Sequence, residues 1–253
     1  MKVYRFAAIS VLLFISSCCF PGSNSTPALP AALDALVSDS EVTFEKIEGA
    51  QPECDYYYVF TPVSDNQTKA FIFYPGGMVR PEAYAIHLKQ IAAKGYRVFL
   101  MKVPMDLAVF CVDCADKIID SGNYSEIEKW AVGGHSFGGV AAAMYSEESP
   151  EKVDGLVFWA SYPASSIRDI DLDVISIYGT LDGLTDDADI TASVENLPAD
   201  THWAPIVGGN HTQFGYYGDT EAFLQEKDNP ATIDRDNQTE QIVNATADFL
   251  ENL

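Results

Sequence analysis

Basic residues are scarce in this sequence of 253 residues. It contains 15 Lys and Arg against 37 Asp and Glu, so the formal net charge at pH 7 is −22. An acidic surface of this kind repels nucleic acid and anionic lipid head groups, and we therefore expect neither as a direct partner. The excess of acidic residues is typical of a solvated face, although a cation-rich or saline habitat would favour it too.

The N-terminus lacks a hydrophobic run long enough to cross a membrane. Lys2 and Arg5 precede an apolar run from Phe6 to Ile15, which is the pattern of a secretion signal and is too short to span a bilayer. The run is followed by "ISSC", which ends at Cys18 and resembles the lipobox of bacterial lipoproteins, in which the cysteine is acylated and becomes the mature N-terminus. Ordinary signal-peptide cleavage nearby is the alternative.

The sequence thus predicts three regions. Residues 1–18 form a secretion signal of the lipoprotein type, and residues 19–40 form a flexible tether, because Pro21 to Pro30 is rich in Pro, Ser and Asn. Residues 41–253 form a single domain, since no repeat or second linker divides them. We expect an exported protein that is held to a bacterial membrane only through its N-terminal lipid, on the periplasmic or extracellular side.

Cysteine is also rare, with five residues in the chain. Apart from Cys18, these are Cys19, Cys54, Cys111 and Cys114, and an exported compartment would permit disulfides between them. The last two have the spacing of a redox motif, but a structural disulfide or two ordinary thiols is the simpler interpretation. Two cysteines are too few ligands for a zinc site, so we predict no metal.

The order of the predicted elements indicates the fold class. Two strands of antiparallel type are followed by alternating strands and helices, and wholly apolar runs such as "KAFIFYP" are typical of parallel strands covered on both faces. The sequence therefore predicts an α/β fold, with an open, doubly wound, mostly parallel sheet flanked by helices. Ligands bind such sheets at the C-terminal ends of the strands. The predicted strands are residues 41–49, 55–62, 69–75, 96–104, 129–134, 154–161, 172–179 and 202–209.

No lysine follows the glycines of "GGHSFGG", so this stretch is not a phosphate-binding loop. Instead, Gly134, Ser136 and Gly138 have the G-x-S-x-G spacing, directly after a predicted strand and before a predicted helix. A serine nucleophile needs such a tight turn, where glycines let the strand and helix approach each other. The helix N-terminus then favours the negative charge that forms during acyl transfer. We predict Ser136 as the nucleophile.

Histidine occurs only four times, which limits the choice of a base. His87 lies on a predicted helix, His135 should point away from the nucleophile, and His202 begins a strand at the wrong end. His211 follows the last predicted strand in a glycine-rich loop, where the base of a serine triad belongs. Asp182 follows the strand before it, and we predict it as the acid that orients the base. The alternative for this aspartate is a turn-shaping role before glycine.

An oxyanion site needs two N–H donors. We predict one from Phe137, the residue after the nucleophile, and the other from Gly77 in the loop after the third strand, with Met78 as second choice. Only about a dozen residues separate the strands after the nucleophile helix, which leaves no room for a lid domain. Loop side chains should therefore line a shallow substrate pocket, and the candidates are Met105, Phe110, Tyr162 and Phe214.

These motifs together resemble the α/β-hydrolase superfamily, and more narrowly the small bacterial α/β-hydrolase fold-5 group. The resemblance implies the α/β-hydrolase fold, with Ser136 as nucleophile, Asp182 as acid and His211 as base, the residues reached above. It implies little about the substrate, and the Cys111 and Cys114 pair is not part of it. It extends from about Phe71 to the C-terminus and rests on "YPGGMVRPEAYA", "MKVPMDLAVF", "WAVGGHSFGG", "VFWASYPA", "SIYGTLDGL" and "GGNHTQFGYYG".

We therefore predict a carboxylesterase-like serine hydrolase that cleaves an ester or related acyl bond of a small soluble substrate. The reaction would proceed through an acyl-enzyme and would need no cofactor. A surface-tethered binding protein that keeps the fold with little turnover is the alternative, and a thiol–disulfide role for Cys111 and Cys114 is a third. The acyl and alcohol preference and the oligomeric state stay open.

Overall fold

The structure of the protein is a computed structural model that describes residues 25–51, 54–64, 67–218 and 227–253. The predicted secretion signal, with Cys18, and the following Cys19 lie outside the described residues. Within the described part of the chain, no helix combines the length and the apolar character needed to cross a membrane.

Eight strands form one sheet in the order β1-β2-β4-β3-β5-β6-β7-β8. The β1–β2 and β2–β4 pairs are antiparallel, and every other neighbouring pair is parallel. The predicted doubly wound, mostly parallel sheet is thus confirmed, because each buried apolar run forms a strand. The strands are β1 (Val42–Gln51), β2 (Cys54–Pro62), β3 (Lys69–Tyr74), β4 (Arg97–Met101), β5 (Lys129–His135), β6 (Gly155–Trp159), β7 (Asp173–Gly179) and β8 (His202–Ile206).

Helices cover both faces of the sheet. The apolar pattern of the sequence predicts a last helix over roughly Thr239 to Leu250. The helix in fact begins at Arg235, because Asp234 caps it by accepting the N–H of Asn237 at 2.8 Å. Its first turn is polar, so hydrophobic periodicity could not reveal it. The described α-helices are α1 (Pro30–Asp34), α2 (Ala85–Ala93), α3 (Asp116–Ile119), α4 (Phe137–Glu148), α5 (Asp187–Ser193) and α6 (Arg235–Glu251), and short 3-10 turns extend several of them.

Strand alternation divides the apolar side chains between two cores. On β3, Phe71 and Phe73 face a core shared with α2 and α6, where the ring of Phe73 lies 4.5 Å from that of Trp159. Ile72 and Tyr74 face the opposite core, which α3 and α4 cover. Burial of each such side chain contributes about 1.5–3 kcal/mol, so the central strands hold the loops at their C-terminal ends in fixed positions.

Residues 25–29 lie against the domain, and we call them the N-terminal strap. The N–H of Thr26 donates to the carbonyl of Met78 at 2.7 Å, and the N–H of Arg80 donates back to Thr26 at 3.0 Å. Farther along, the N–H of Leu29 donates to the carbonyl of Tyr216 at 2.8 Å. Backbone pairing thus fixes the strap over the C-terminal edge of the sheet.

The described part of the predicted flexible tether, residues 25–40, is therefore packed and not free. After the strap, α1 buries Ala32 completely, and the carbonyl of Val37 accepts a hydrogen bond from Lys89 at 2.7 Å. Composition could not reveal this packing, because these contacts join residues that are far apart in sequence. The rest of the predicted tether, residues 19–24, lies outside the described residues.

Candidate active site

Ser136 stands on the turn between β5 and α4. Its backbone has φ 52° and ψ −122°, a strained conformation for a residue with a side chain. The neighbouring glycines make this turn possible. A Cβ on Gly138 would lie 2.1 Å from the carbonyl oxygen of Tyr74, and one on Gly134 would lie 2.3 Å from a backbone carbon of Gly138. The two glycines therefore let the chain turn tightly enough to place Ser136 above the end of β5.

His211 and Asp182 meet at the ends of two neighbouring strands. Nδ1 of His211 lies 2.8 Å from Oδ2 of Asp182, although 29 residues separate them in sequence. The other carboxylate oxygen, Oδ1, accepts the N–H groups of Leu184 at 2.8 Å and Thr185 at 2.7 Å. These bonds hold the carboxylate as an acceptor, so Nδ1 of the imidazole carries the proton and Nε2 is left as the basic atom.

Ser136 and His211 line one cavity at the C-terminal edge of the sheet. The cavity is small, with a volume of about 20 Å³, which is room for little more than one water molecule. Among the hydrogen bonds of the described residues there is none between the serine hydroxyl and the imidazole. Such pairs are often loosely spaced and close only around a substrate. The other lining residues are Thr26, Gly76, Gly77, Met78, Val79, His135, Phe137 and Tyr217.

Three backbone N–H groups were predicted as oxyanion donors, and their surroundings differ. Phe137 begins α4 and lines the cavity. Met78 is unsuited, because its N–H already donates to the carbonyl of Asp106 at 2.7 Å. The N–H of Gly77 has no acceptor among the described residues, and Gly77 also lines the cavity. The geometry therefore favours Gly77 over Met78.

A buried histidine stands directly behind the base. The rings of His135 and His211 lie 4.5 Å apart, and His135 is almost fully buried. The hydroxyl of Tyr84 accepts the N–H of Gly76 at 3.0 Å, which leaves its own proton for Nδ1 of His135, also at 3.0 Å. Burial, and next the positive charge that His211 can carry, hold the pKa of His135 well below its ordinary value. His135 is therefore neutral and links the Gly76 loop to the base.

The four side chains predicted for the pocket do not line the cavity. Met105, which has a left-handed backbone with φ 52°, is 65% exposed, and Phe110 is 45% exposed. Phe214 is fully buried and stacks on His135, with ring centroids 5.7 Å apart. Tyr162 is half-buried beyond β6.

Sequence reasoning missed five residues of the cavity wall, which are Thr26, Gly76, Val79, His135 and Tyr217. Thr26 belongs to the strap, and Tyr217 pairs with another strap residue, Ala28, through a β-bridge. Both are almost fully buried, and burial raises the pKa of Tyr217 well above its ordinary value, so its phenol stays protonated. The aromatic run "FGYYG" after the predicted base was a possible signal for Tyr217, whereas no local pattern indicates Thr26.

Cys111 and Cys114 form a disulfide with Cα atoms 5.2 Å apart. It lies in the loop after β4, and Nζ of Lys117 is 3.9 Å and 3.8 Å from the two sulfurs. Tyr74 holds this loop by donating to the carbonyl of Val112 at 2.6 Å. The disulfide thus lies in a loop that is anchored to the end of β3. No group of three potential metal ligands occurs among the described residues.

No lid domain follows β6. Residues 160–172 connect β6 to β7 without a helix, as their number predicted. This loop is tied down by the N–H of Ile167, which donates to the carbonyl of Asn196 at 2.8 Å. The cavity is covered from the other side, by the strap.

Comparisons with known proteins agree with this architecture. A sequence model described as the alpha/beta hydrolase family matches residues 70–240. A predicted CIB-like hydrolase from Thermoplasma acidophilum has a similar structure, with a TM-score of 0.59 and 14% identity over 84% of this chain and 99% of that one. The dienelactone hydrolase from Anabaena variabilis gives a TM-score of 0.63 and 14% identity over 84% and 98% of the two chains. No curated protein sequence matches this chain.

Proposed function

This chain belongs to the alpha/beta hydrolase family, and we propose that it is a serine hydrolase acting on an ester or a related acyl bond. The observation that carries this proposal is the arrangement of three side chains. His211 and Asp182 are joined at 2.8 Å, and the imidazole faces the same cavity as a serine on a strained turn. Nucleophilic acyl transfer needs these three groups together.

In the proposed first step, Nε2 of His211 takes the proton of Ser136 as the hydroxyl oxygen attacks the acyl carbonyl. The carbonyl becomes a tetrahedral oxyanion, which accepts hydrogen bonds from the N–H groups of Phe137 and Gly77. Asp182 stabilises the imidazolium through Nδ1. The imidazolium then protonates the leaving oxygen or nitrogen as its bond to carbon breaks, which leaves an acyl group on Ser136.

In the second step, His211 takes a proton from water, and the oxygen of that water attacks the acyl carbon. The second oxyanion forms in the same site and collapses by breaking the bond to Ser136. The serine oxygen recovers its proton from His211, and the free acid leaves. His211 thus transfers every proton in both steps, and water is the only reactant besides the substrate.

The size and charge of the cavity favour a small, neutral acyl group. The cavity volume is only about 20 Å³, and Thr26, Val79 and Tyr217 form part of its wall, which favours a small group next to the serine. The net charge of −22 opposes the approach of anionic substrates. We therefore propose short acyl esters, or compounds of related chemistry, as the substrate class.

Labelling with a fluorophosphonate tests the proposal, because this reagent reacts only with an activated serine. Wild-type protein should be labelled on Ser136, and Ser136→Ala should not be labelled at all. Ser165→Ala is a matched control, since Ser165 bonds to Glu147 at the surface. If folded wild-type protein were neither labelled nor able to cleave short aryl esters, the chain would instead be a binding protein with a hydrolase fold.

The N-terminal motif adds a proposal on location. We propose that the protein is exported and attached to a bacterial membrane through an acylated Cys18, as the "ISSC" motif predicts. The cavity would then serve small molecules outside the cytoplasm.

A further inference from the structure

Asp228 lies between the two loops that carry the proposed acid and base. Its Oδ1 accepts the N–H of Gly183 at 3.0 Å. Its Oδ2 accepts both the N–H and the hydroxyl proton of Thr212, each at 2.7 Å. One carboxylate therefore holds two loops that belong to different strands, β7 and β8.

The bonded residues are the direct neighbours of the proposed acid and base. Gly183 follows Asp182 in the chain, and Thr212 follows His211. A rotation or shift of either backbone would change the 2.8 Å contact between the imidazole and the carboxylate. Fixing both neighbours from a single group therefore fixes the geometry of the pair.

The segment around Asp228 fits closely against the acid loop. A Cβ on Gly183 would lie 2.8 Å from the backbone nitrogen of Asn229, so a residue with a side chain at this position would displace the segment. Asn210, next to His211, donates through Nδ2 to the carbonyl of Asn229 at 2.7 Å. The segment thus contacts both loops through backbone as well as side chain.

The two acceptor oxygens of a carboxylate satisfy all three donors. An amide offers one acceptor oxygen, and its NH₂ group would face an N–H group that cannot accept. Glutamate is one methylene longer and would not fit the same spacing. An aspartate at this position is therefore suited to holding the two loops, in a way that another polar residue would not be.

We propose that Asp228 is a positioning residue, which holds the Asp182 and His211 loops at the separation that proton transfer requires. This inference rests on the proposed function, because it assigns Asp228 to the same reaction. Asp228 does not touch the reacting atoms. Its loss should lower the rate of proton transfer while leaving the binding of substrate, and hence KM, nearly unchanged.

The test compares Asp228→Ala, Asp228→Asn and Thr212→Val with wild-type protein. Thr212→Val removes one of the three bonds and keeps the backbone N–H, so its effect should be the smallest. The control is Asp39→Ala, because Asp39 also accepts two backbone N–H groups, from Glu41 at 2.8 Å and Val42 at 2.9 Å, away from the cavity. The rate of fluorophosphonate labelling, kcat and KM are measured for each, together with the thermal unfolding midpoint.

We expect Asp228→Ala to label more slowly by up to about 100-fold with little change in KM. The labelling rate of Asp228→Asn should lie between the rates of Asp228→Ala and Thr212→Val, and Asp39→Ala should label at the wild-type rate. If folded Asp228→Ala labelled at the wild-type rate, the proposal would be overturned. If that variant failed to fold, the labelling rates of Asp228→Asn and Thr212→Val would decide. Wild-type labelling rates in both of these variants would count against the proposal.

A second measurement keeps this inference separate from the proposed function. The Nδ1 proton of His211, shared with Asp182, should give a far-downfield proton resonance that exchanges slowly with water. The positioning role predicts that this signal broadens or disappears in Asp228→Ala and persists in Asp39→Ala. If wild-type protein were not labelled, the proposed function would fail, and this signal would still decide the role of Asp228. An unchanged signal in folded Asp228→Ala would overturn it.

Discussion

The hydroxyl of Tyr84 lies 3.0 Å from Nδ1 of His135, a contact between two fully buried side chains 51 residues apart in sequence. The same hydroxyl accepts the N–H of Gly76 at 3.0 Å. One phenol therefore joins the proposed oxyanion loop to the histidine beside the proposed base.

Replacing Tyr84 with Phe should lower both stability and turnover. The variant leaves the N–H of Gly76 and Nδ1 of His135 without partners in a buried site, which costs about 1–3 kcal/mol each in unsatisfied polar groups. Chemical denaturation followed by tyrosine and tryptophan fluorescence measures the change in unfolding free energy. Tyr124→Phe, which removes a 3.3 Å contact with the Tyr57 hydroxyl nearer the surface, should cost less than Tyr84→Phe. Equal losses in the two variants would contradict the role of the buried phenol.

Asp182→Asn should lower turnover by about 10⁴-fold, because the imidazole loses its counter-charge and its preferred tautomer. His211→Ala should also lower turnover by several orders of magnitude. Circular dichroism should show that both variants remain folded. Single-turnover kinetics on a short aryl ester gives the comparison. Wild-type turnover in Asp182→Asn would mean that another carboxylate orients the base.

Gly138→Ala should destabilise the protein by more than about 3 kcal/mol, above the usual range for an overpacked site. The added methyl group would lie 2.1 Å from the carbonyl oxygen of Tyr74, so the turn must move. Gly218→Ala is the matched control, since its Cβ would meet no atom of the described residues within 4 Å, and we expect a change within about 0.5 kcal/mol. Thermal unfolding of the pair gives the measurement. Similar midpoints would show that the turn tolerates side chains.

Activity should be highest on short acyl esters and should not increase at an oil–water interface. The small cavity cannot bury a long chain, so each added methylene should contribute less than the ~0.8 kcal/mol of full burial. The test is to measure kcat/KM for a series of aryl esters of increasing acyl length, with Ser136→Ala as the background. A steady increase up to long-chain esters would contradict it.

Cys18→Ser should abolish attachment of lipid to the protein expressed in a bacterial host. The wild-type protein should enter the detergent phase and carry its lipid on the N-terminal cysteine. Mass spectrometry of the purified protein gives the answer, and an unmodified N-terminus beyond Cys18 would refute the anchor. Cys54→Ser is a suitable control, because it leaves the predicted motif intact.

The sheet and the positions of Ser136, Asp182 and His211 could be predicted from sequence because their signals are local. Ser136 and Asp182 each follow a buried apolar strand at a short distance, and His211 follows β8, an edge strand that is largely exposed. Hydrophobic patterns report burial directly, so all eight strands were predicted. The pairing of His211 with Asp182 then follows from the parallel arrangement of β7 and β8.

The cavity wall could not be predicted, because it depends on contacts between distant segments. Thr26 is held at the cavity by backbone bonds to Met78 and Arg80, which lie more than fifty residues away in sequence. Met105 looked like a pocket residue by its position after β4, yet it has a left-handed backbone with φ 52° and is exposed to solvent. Composition and periodicity contain no information on either effect.

The strap has a consequence for which molecules could reach the cavity. Ser25 is seven residues after Cys18, and an extended chain gains at most ~3.6 Å per residue, so the strap begins within ~25 Å of that cysteine. With a lipid on Cys18, the side of the domain that holds the cavity would be tethered close to the bilayer. The gap between the two would then act as a sieve, which admits small diffusing esters and holds back polymers and folded proteins before they meet the serine.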